Sequence, residues 1–104
     1  MANTPEAKLQ KQCLDYVKEL EDYGCYITAI NQHGSAFSSR GVPDIIMCIN
    51  GQFVAVELKV GNNKPTPLQE HWINKITRAL GKAYVCRTLK EFKEVVYSEV
   101  YPER

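Results

Sequence analysis

The chain has 104 residues, which suits one small domain, and a formal net charge of +1 that announces no polyanion partner globally. Apolar residues make up 44% and charged residues 24%, an ordinary mix for a soluble globule. No apolar run approaches the ~18 residues of a membrane span, and the N-terminus lacks the basic-then-apolar pattern of a secretory leader, so a cytoplasmic protein is expected.

Thr4 is placed to cap a helix, with Pro5 at its first position and Glu6 in its first turn. Leu9, Cys13, Tyr16, Val17 and Leu20 continue a helical stripe to about Tyr23, and Gly24 stops it. Cys25 to Ile30 reads as a strand. Residues 31–42 form a loop rich in Gly and Ser. Two strands follow, joined by Asn50-Gly51, the strongest short-range hairpin signal because both positions accept positive φ. From Gln52 to Val60 the side chains alternate. Val54, Val56, Leu58 and Val60 make a core stripe, while Phe53, Ala55, Glu57 and Lys59 share the other face.

Residues 61–67 are a second loop. Thr66, Pro67 and Gln69 open a helix with a capping box, whose apolar face is Leu68, Trp72, Ile73, Ile76 and Leu80 and whose stop is Gly81. Trp72 is expected in the core. Lys82 to Arg87 reads as a short strand, and Thr88 with Glu91 boxes a last helix that Pro102 ends. A right-handed crossover would lay the fourth strand parallel to the third. The expected fold is α/β, a small mixed four-stranded sheet flanked by helices. The four cysteines, Cys13, Cys25, Cys48 and Cys86, lack metal-knuckle spacing and are expected as buried free thiols in a reducing compartment.

The chemistry concentrates between Asp44 and Lys59. Two acids and a lysine converging across one hairpin need a partner or a metal. Magnesium prefers oxygen ligands and commonly takes one or two carboxylates while keeping waters. Asp44, Glu57 and the backbone carbonyl of Leu58 can supply three such oxygens, and Lys59 can orient a water or meet charge building on a phosphate. The set suits metal-assisted phosphodiester hydrolysis with Mg2+ or Mn2+. Ser35, Ser38, Arg40 and Lys64 are candidate phosphate contacts from the two loops. Each feature also has an ordinary reading. Asp44 after Pro43 suits a turn, Glu57 with Lys59 suits a solvated edge, and Glu6 and Gln69 suit helix starts. Loop serines and basic residues need no ligand. For Asp44 and Glu57 the ordinary reading weakens because their strands look central.

Gly41-Val42-Pro43-Asp44, Glu57-Leu58-Lys59 and Gln69-Glu70-His71-Trp72 together resemble the PD-(D/E)xK nuclease superfamily and, within it, the VRR-NUC group. Small stand-alone members of that group occur in phages and bacteria and are similar in fold to archaeal Holliday-junction resolvases. The resemblance implies a restriction-endonuclease-like αβββαβ core with an added C-terminal helix, spanning 1–104 as one nuclease domain. It implies metal binding by Asp44 and Glu57, catalysis by Lys59, an approach of Glu6 to the metal, and a place for Gln69 beside the active site. It also implies DNA as partner, branched DNA among the candidates, and a homodimer built on the last helix or on residues 31–37. A DNA-binding module without chemistry is the alternative, which the intact Asp44, Glu57 and Lys59 set disfavours.

Overall fold

The computed structural model describes residues 4–31 and 40–103, so the candidates Ser35 and Ser38 and the proposed interface segment 31–37 fall outside it, apart from the backbone of Asn31. The elements run α1 (Pro5–Asp22), β1 (Ile27–Asn31), β2 (Ile45–Ile49), β3 (Gln52–Leu58), α2 (Pro67–Arg78), β4 (Lys82–Cys86) and α3 (Leu89–Val100). The sheet order is β1-β2-β3-β4, with β1 and β2 antiparallel to their successors and β4 parallel to β3. The expected mixed sheet is therefore present, with the crossover helix between its two parallel strands.

Local chemistry sets the boundaries. Thr4 Oγ1 accepts the Ala7 amide at 3.1 Å and opens α1. At the other end the Gly24 amide donates to the Glu21 carbonyl and the Cys25 amide to Leu20, a Schellman motif that holds Cys25 in the turn. That is why β1 begins at Ile27 rather than at Cys25. Asn50 (φ 52) and Gly51 (φ 80) make the expected hairpin turn.

The end of α2 departs from expectation. The left-handed position is taken by Leu80 (φ 73), one residue before Gly81, and Leu80 is 84% exposed rather than part of the apolar face. Gly81 is needed for room instead: a Cβ there would stand 2.8 Å from Ile76 Cγ2 and 3.1 Å from Phe53 Cδ1. At α3, Thr88 Oγ1 accepts the Glu91 amide, but the Glu91 carboxylate takes the Arg87 amide, so the expected box closes one residue early.

The core lies on one face of the sheet. Ile45, Met47, Val54, Val56 and Leu58 pack there beneath α1 and α3, which contribute Cys13, Val17, Phe92 and Val96. Of the four thiols, Cys13 and Cys86 are buried as expected, and burial pushes both up to about 12. Cys25 is half-buried and Cys48 is exposed, because Cys48 alternates onto the other face of β2. That other face carries α2 over β3 and β4, and no α2 residue is buried. Trp72 is half-buried and stands outside the core. No described helix is long and apolar enough to cross a membrane.

Candidate active site

Register brings the two acids together. Ile45 pairs with Val56, so Asp44, one step further along, faces Glu57 across the antiparallel ladder. Both side chains then project from the α2 face. Asp44 Oδ2 accepts the Leu58 amide at 2.8 Å, which turns the carboxylate toward the end of β3. Pro43, fully buried, seats the segment just before it. The Leu58 backbone points the same way. Lys59 N donates to Cys86 O on the β4 side, so the N–H and C=O of Leu58 face away from β4, toward Asp44.

Glu57 is the unusual group. Its side chain is 1% exposed, in the middle of a sheet, and Oε1 finds no donor among the described residues. Oε2 is met by the Gln69 side-chain amide at 3.0 Å and by Lys59 Nζ at 3.9 Å. Burial first, then the charge of Asp44 and a hydrogen bond that the protonated Glu57 carboxyl shares with it, push Glu57 up to about 8; Lys59 pulls it down and Glu6 adds a little upward. A carboxyl buried in this way either keeps its proton at neutral pH or is ionised with a cation to complete it. The donor set fits a hard divalent cation: two carboxylates and a carbonyl, all oxygen.

Gln69 has two tasks. Its Oε1 accepts the Thr66 amide at 2.8 Å, closing the capping box of α2, while its Nε2 reaches Glu57. The helix start and the site acid therefore share one side chain. Glu6 is half-buried in the first turn of α1 and is felt at Glu57 electrostatically. Among the described residues no three His, Cys, Asp or Glu side chains gather as a ligand group, so Glu6 does not complete a triad with Asp44 and Glu57. Arg40 and Lys64 are both exposed. Arg87 is a residue that sequence reasoning misses, yet its Nη1 donates to Gly61 O at 3.0 Å and Asn63 O at 2.6 Å, bracing the loop that carries Lys64. Nothing local to Arg87 signals partners 26 and 24 residues away.

A family model described as archaeal Holliday junction resolvase (hjc) matches residues 11–96, which takes in the hairpin, the α2 start and β4. The chain belongs to this family. Membership places this resolvase relative among nucleases that act on DNA. Two solved structures agree in fold. One, named VRR_NUC domain, has a TM-score of 0.71 at 21% identity, covering 90% of this chain and 96% of its own. The other, named VRR_NUC domain protein, has a TM-score of 0.72 at 20% identity, covering 96% of this chain and 91% of its own. No curated protein matches the sequence. The resemblance read from the three motifs, to VRR-NUC nucleases similar in fold to archaeal Holliday-junction resolvases, thus agrees with the family model and with the fold of both structures.

Proposed function

We propose that this resolvase relative is a metal-dependent DNA endonuclease, with Mg2+ or Mn2+ held by Asp44, Glu57 and the carbonyl of Leu58. The observation that carries this reading is the buried Glu57 carboxyl, orphaned at Oε1 and opposite Asp44. When bound, such a cation acidifies a water and polarises the phosphate under attack. The protein's own groups do the rest. Lys59, with its ammonium near Glu57 Oε2, orients the water and meets charge developing on the phosphate. Gln69 holds Glu57 in the rotamer that faces Asp44. Glu6 acts on the site electrostatically, through its charge at Glu57. Arg40 and Lys64, both exposed, contact the DNA backbone, together with Ser35 and Ser38 from outside the described residues.

Branched DNA, a four-way junction or a flap, is the proposed substrate. The test is a cleavage panel of junction, flap, single-stranded and duplex DNA with Mg2+ and with Mn2+. Cutting of branched DNA that stops in EDTA and in Asp44→Asn and Glu57→Gln is the expected result. Cutting that survives EDTA, or both substitutions, ends the proposal.

The second copy of a homodimer would cover the open part of the α2 face. Ile30 is 59% exposed and Phe53 43%, and the pairing sets Ile46 and Cys48 between them on the same face. Two-fold pairing would supply two sites for two strands. Sedimentation equilibrium should give a dimer that Phe53→Lys converts to monomer; a wild-type monomer at micromolar concentration overturns it.

A further inference from the structure

Trp72, the only tryptophan of the sequence, lies in the second turn of α2. Its indole N–H donates to the backbone carbonyl of Arg40 at 3.0 Å. Lys75 Nζ stands 4.6 Å from the ring centroid, and His71 packs edge-on at 6.2 Å. The next residue after Arg40 is gripped as well. Gly41 has φ +81, and a Cβ built on it would meet Leu68 Cγ at 2.7 Å and the carbon and oxygen of the Leu68 backbone carbonyl at 2.8 Å. Only glycine fits so close to the helix in that conformation.

The first two turns of α2 therefore touch the incoming segment at residues 40 and 41. Val42 and the buried, ring-locked Pro43 then lead to Asp44 with little slack. Through Gln69 the same two turns touch Glu57. An indole placed for burial alone would sit in the core. This one is half-buried, and its single polar atom is committed to a carbonyl at the end of a loop.

We propose that Trp72 is a positioning residue for Asp44: by clasping Arg40 it fixes where β2 begins, and so where the Asp44 carboxylate points. Its meaning for catalysis rests on the reading of Asp44 as a metal ligand; the placement itself does not. Helix α2 then aligns the two acids against each other, one through Gln69 and the other through Trp72. Small displacements matter here because a metal site tolerates little error in ligand placement.

The structure supplies a reporter that needs no metal. The Leu58 amide donates to Asp44 Oδ2, whereas the neighbouring Lys59 amide donates to Cys86 O. Amide exchange is measured by NMR in EDTA for Trp72→Phe, which keeps a ring but no donor, and for Gly41→Ala, which forces the clasp from the other side. Exchange at Leu58 should rise about fivefold to tenfold, the factor for one net hydrogen bond, with Lys59 unchanged. Unchanged Leu58 in both variants overturns the proposal. So does an equal rise at Leu58 and Lys59, which would make the residue a plain contributor to stability. Mn2+ binding is then followed by electron paramagnetic resonance. Affinity that Asp44→Asn abolishes and Trp72→Phe lowers about fivefold to tenfold joins the clasp to the metal site. If the wild type binds no Mn2+, the metal reading fails, while the exchange data still decide what places Asp44.

Discussion

From Val54 to Leu58 strand β3 is buried on both sides, but its two faces do opposite things. Val54, Val56 and Leu58 point to α1 and α3 and are 0% exposed among other apolar groups. Ala55 and Glu57 point to α2 and are as deeply buried, yet Glu57 is a carboxyl with an oxygen left unpaired. The first face gains free energy by removing apolar surface from water. The second gives some of it up, because a buried acid is held away from water without full pairing. A period of two lets one strand serve both ends at once. The sealed face is what allows the other to carry a group that would be expelled from a weaker sheet.

The sharpest division should appear when each face loses one side chain. Asp44→Asn keeps an oxygen that can accept the Leu58 amide, so the fold should survive. Cleavage of branched DNA should still fall by at least about a hundredfold, the scale for removing one charge-stabilising group from such a site. Phe92→Ala, at a residue 0% exposed beneath the sealed face, should cost about 3–5 kcal/mol of stability. Its folded fraction should cut DNA normally. Urea unfolding and single-turnover cleavage on both variants check the pair. A Phe92→Ala protein that is fully folded but inactive would mean that the faces are not separable.

A variant with gains and losses on opposite axes comes next. Glu57 is raised from 4.5 to about 8 in the fold. The folded state keeps its proton where the unfolded protein has released it, so this group's contribution is full below about 4.5 and is lost as pH rises to about 8. Glu57→Gln carries no such proton and keeps the shape. It should be more stable than the wild type at pH 8 by roughly 1–3 kcal/mol, the gap closing toward pH 5, while cleavage is lost. Thermal unfolding in EDTA across that range measures it. A gap that stays constant with pH would locate the burden elsewhere than in the charge of Glu57.

Much of this geometry is legible in the sequence because it is local or periodic. The Asn50-Gly51 turn fixes the hairpin register, and register alone sets Asp44 opposite Glu57. Thr4, Thr66 and Thr88 announce three helix starts, each by a hydroxyl that reaches an amide within three residues. The grip of Trp72 on Arg40 spans 32 residues and involves a backbone carbonyl, which has no sequence signature. Gly41 looks like any loop glycine until Leu68 is laid against it. The shift of the left-handed position from Gly81 to Leu80 is hidden for a similar reason. Gly81 is tied to Phe53 and Ile76 by space, a tertiary demand that outweighs the usual preference for glycine at that turn.

The smallest effect isolates the two faces best, because it compares equals. Thr66 and Thr88 are N-caps of the same kind: each hydroxyl accepts the amide three residues on, at 3.2 Å and 3.1 Å. Each →Ala change should therefore cost about 1 kcal/mol of stability. Their neighbours differ. Glu91, the third residue of α3, turns its carboxylate to the Arg87 amide and touches nothing in the site. Gln69, the third residue of α2, holds the Thr66 amide with one atom and Glu57 with the other. Loosening the Thr66 cap frees the helix start that fixes Gln69, and so loosens Glu57. At equal loss of stability, Thr66→Ala should slow cleavage several-fold and Thr88→Ala should leave the rate of the folded protein unchanged. Equal rates for the two would mean that Glu57 is held by the sheet alone, and that the helix over it serves only as cover.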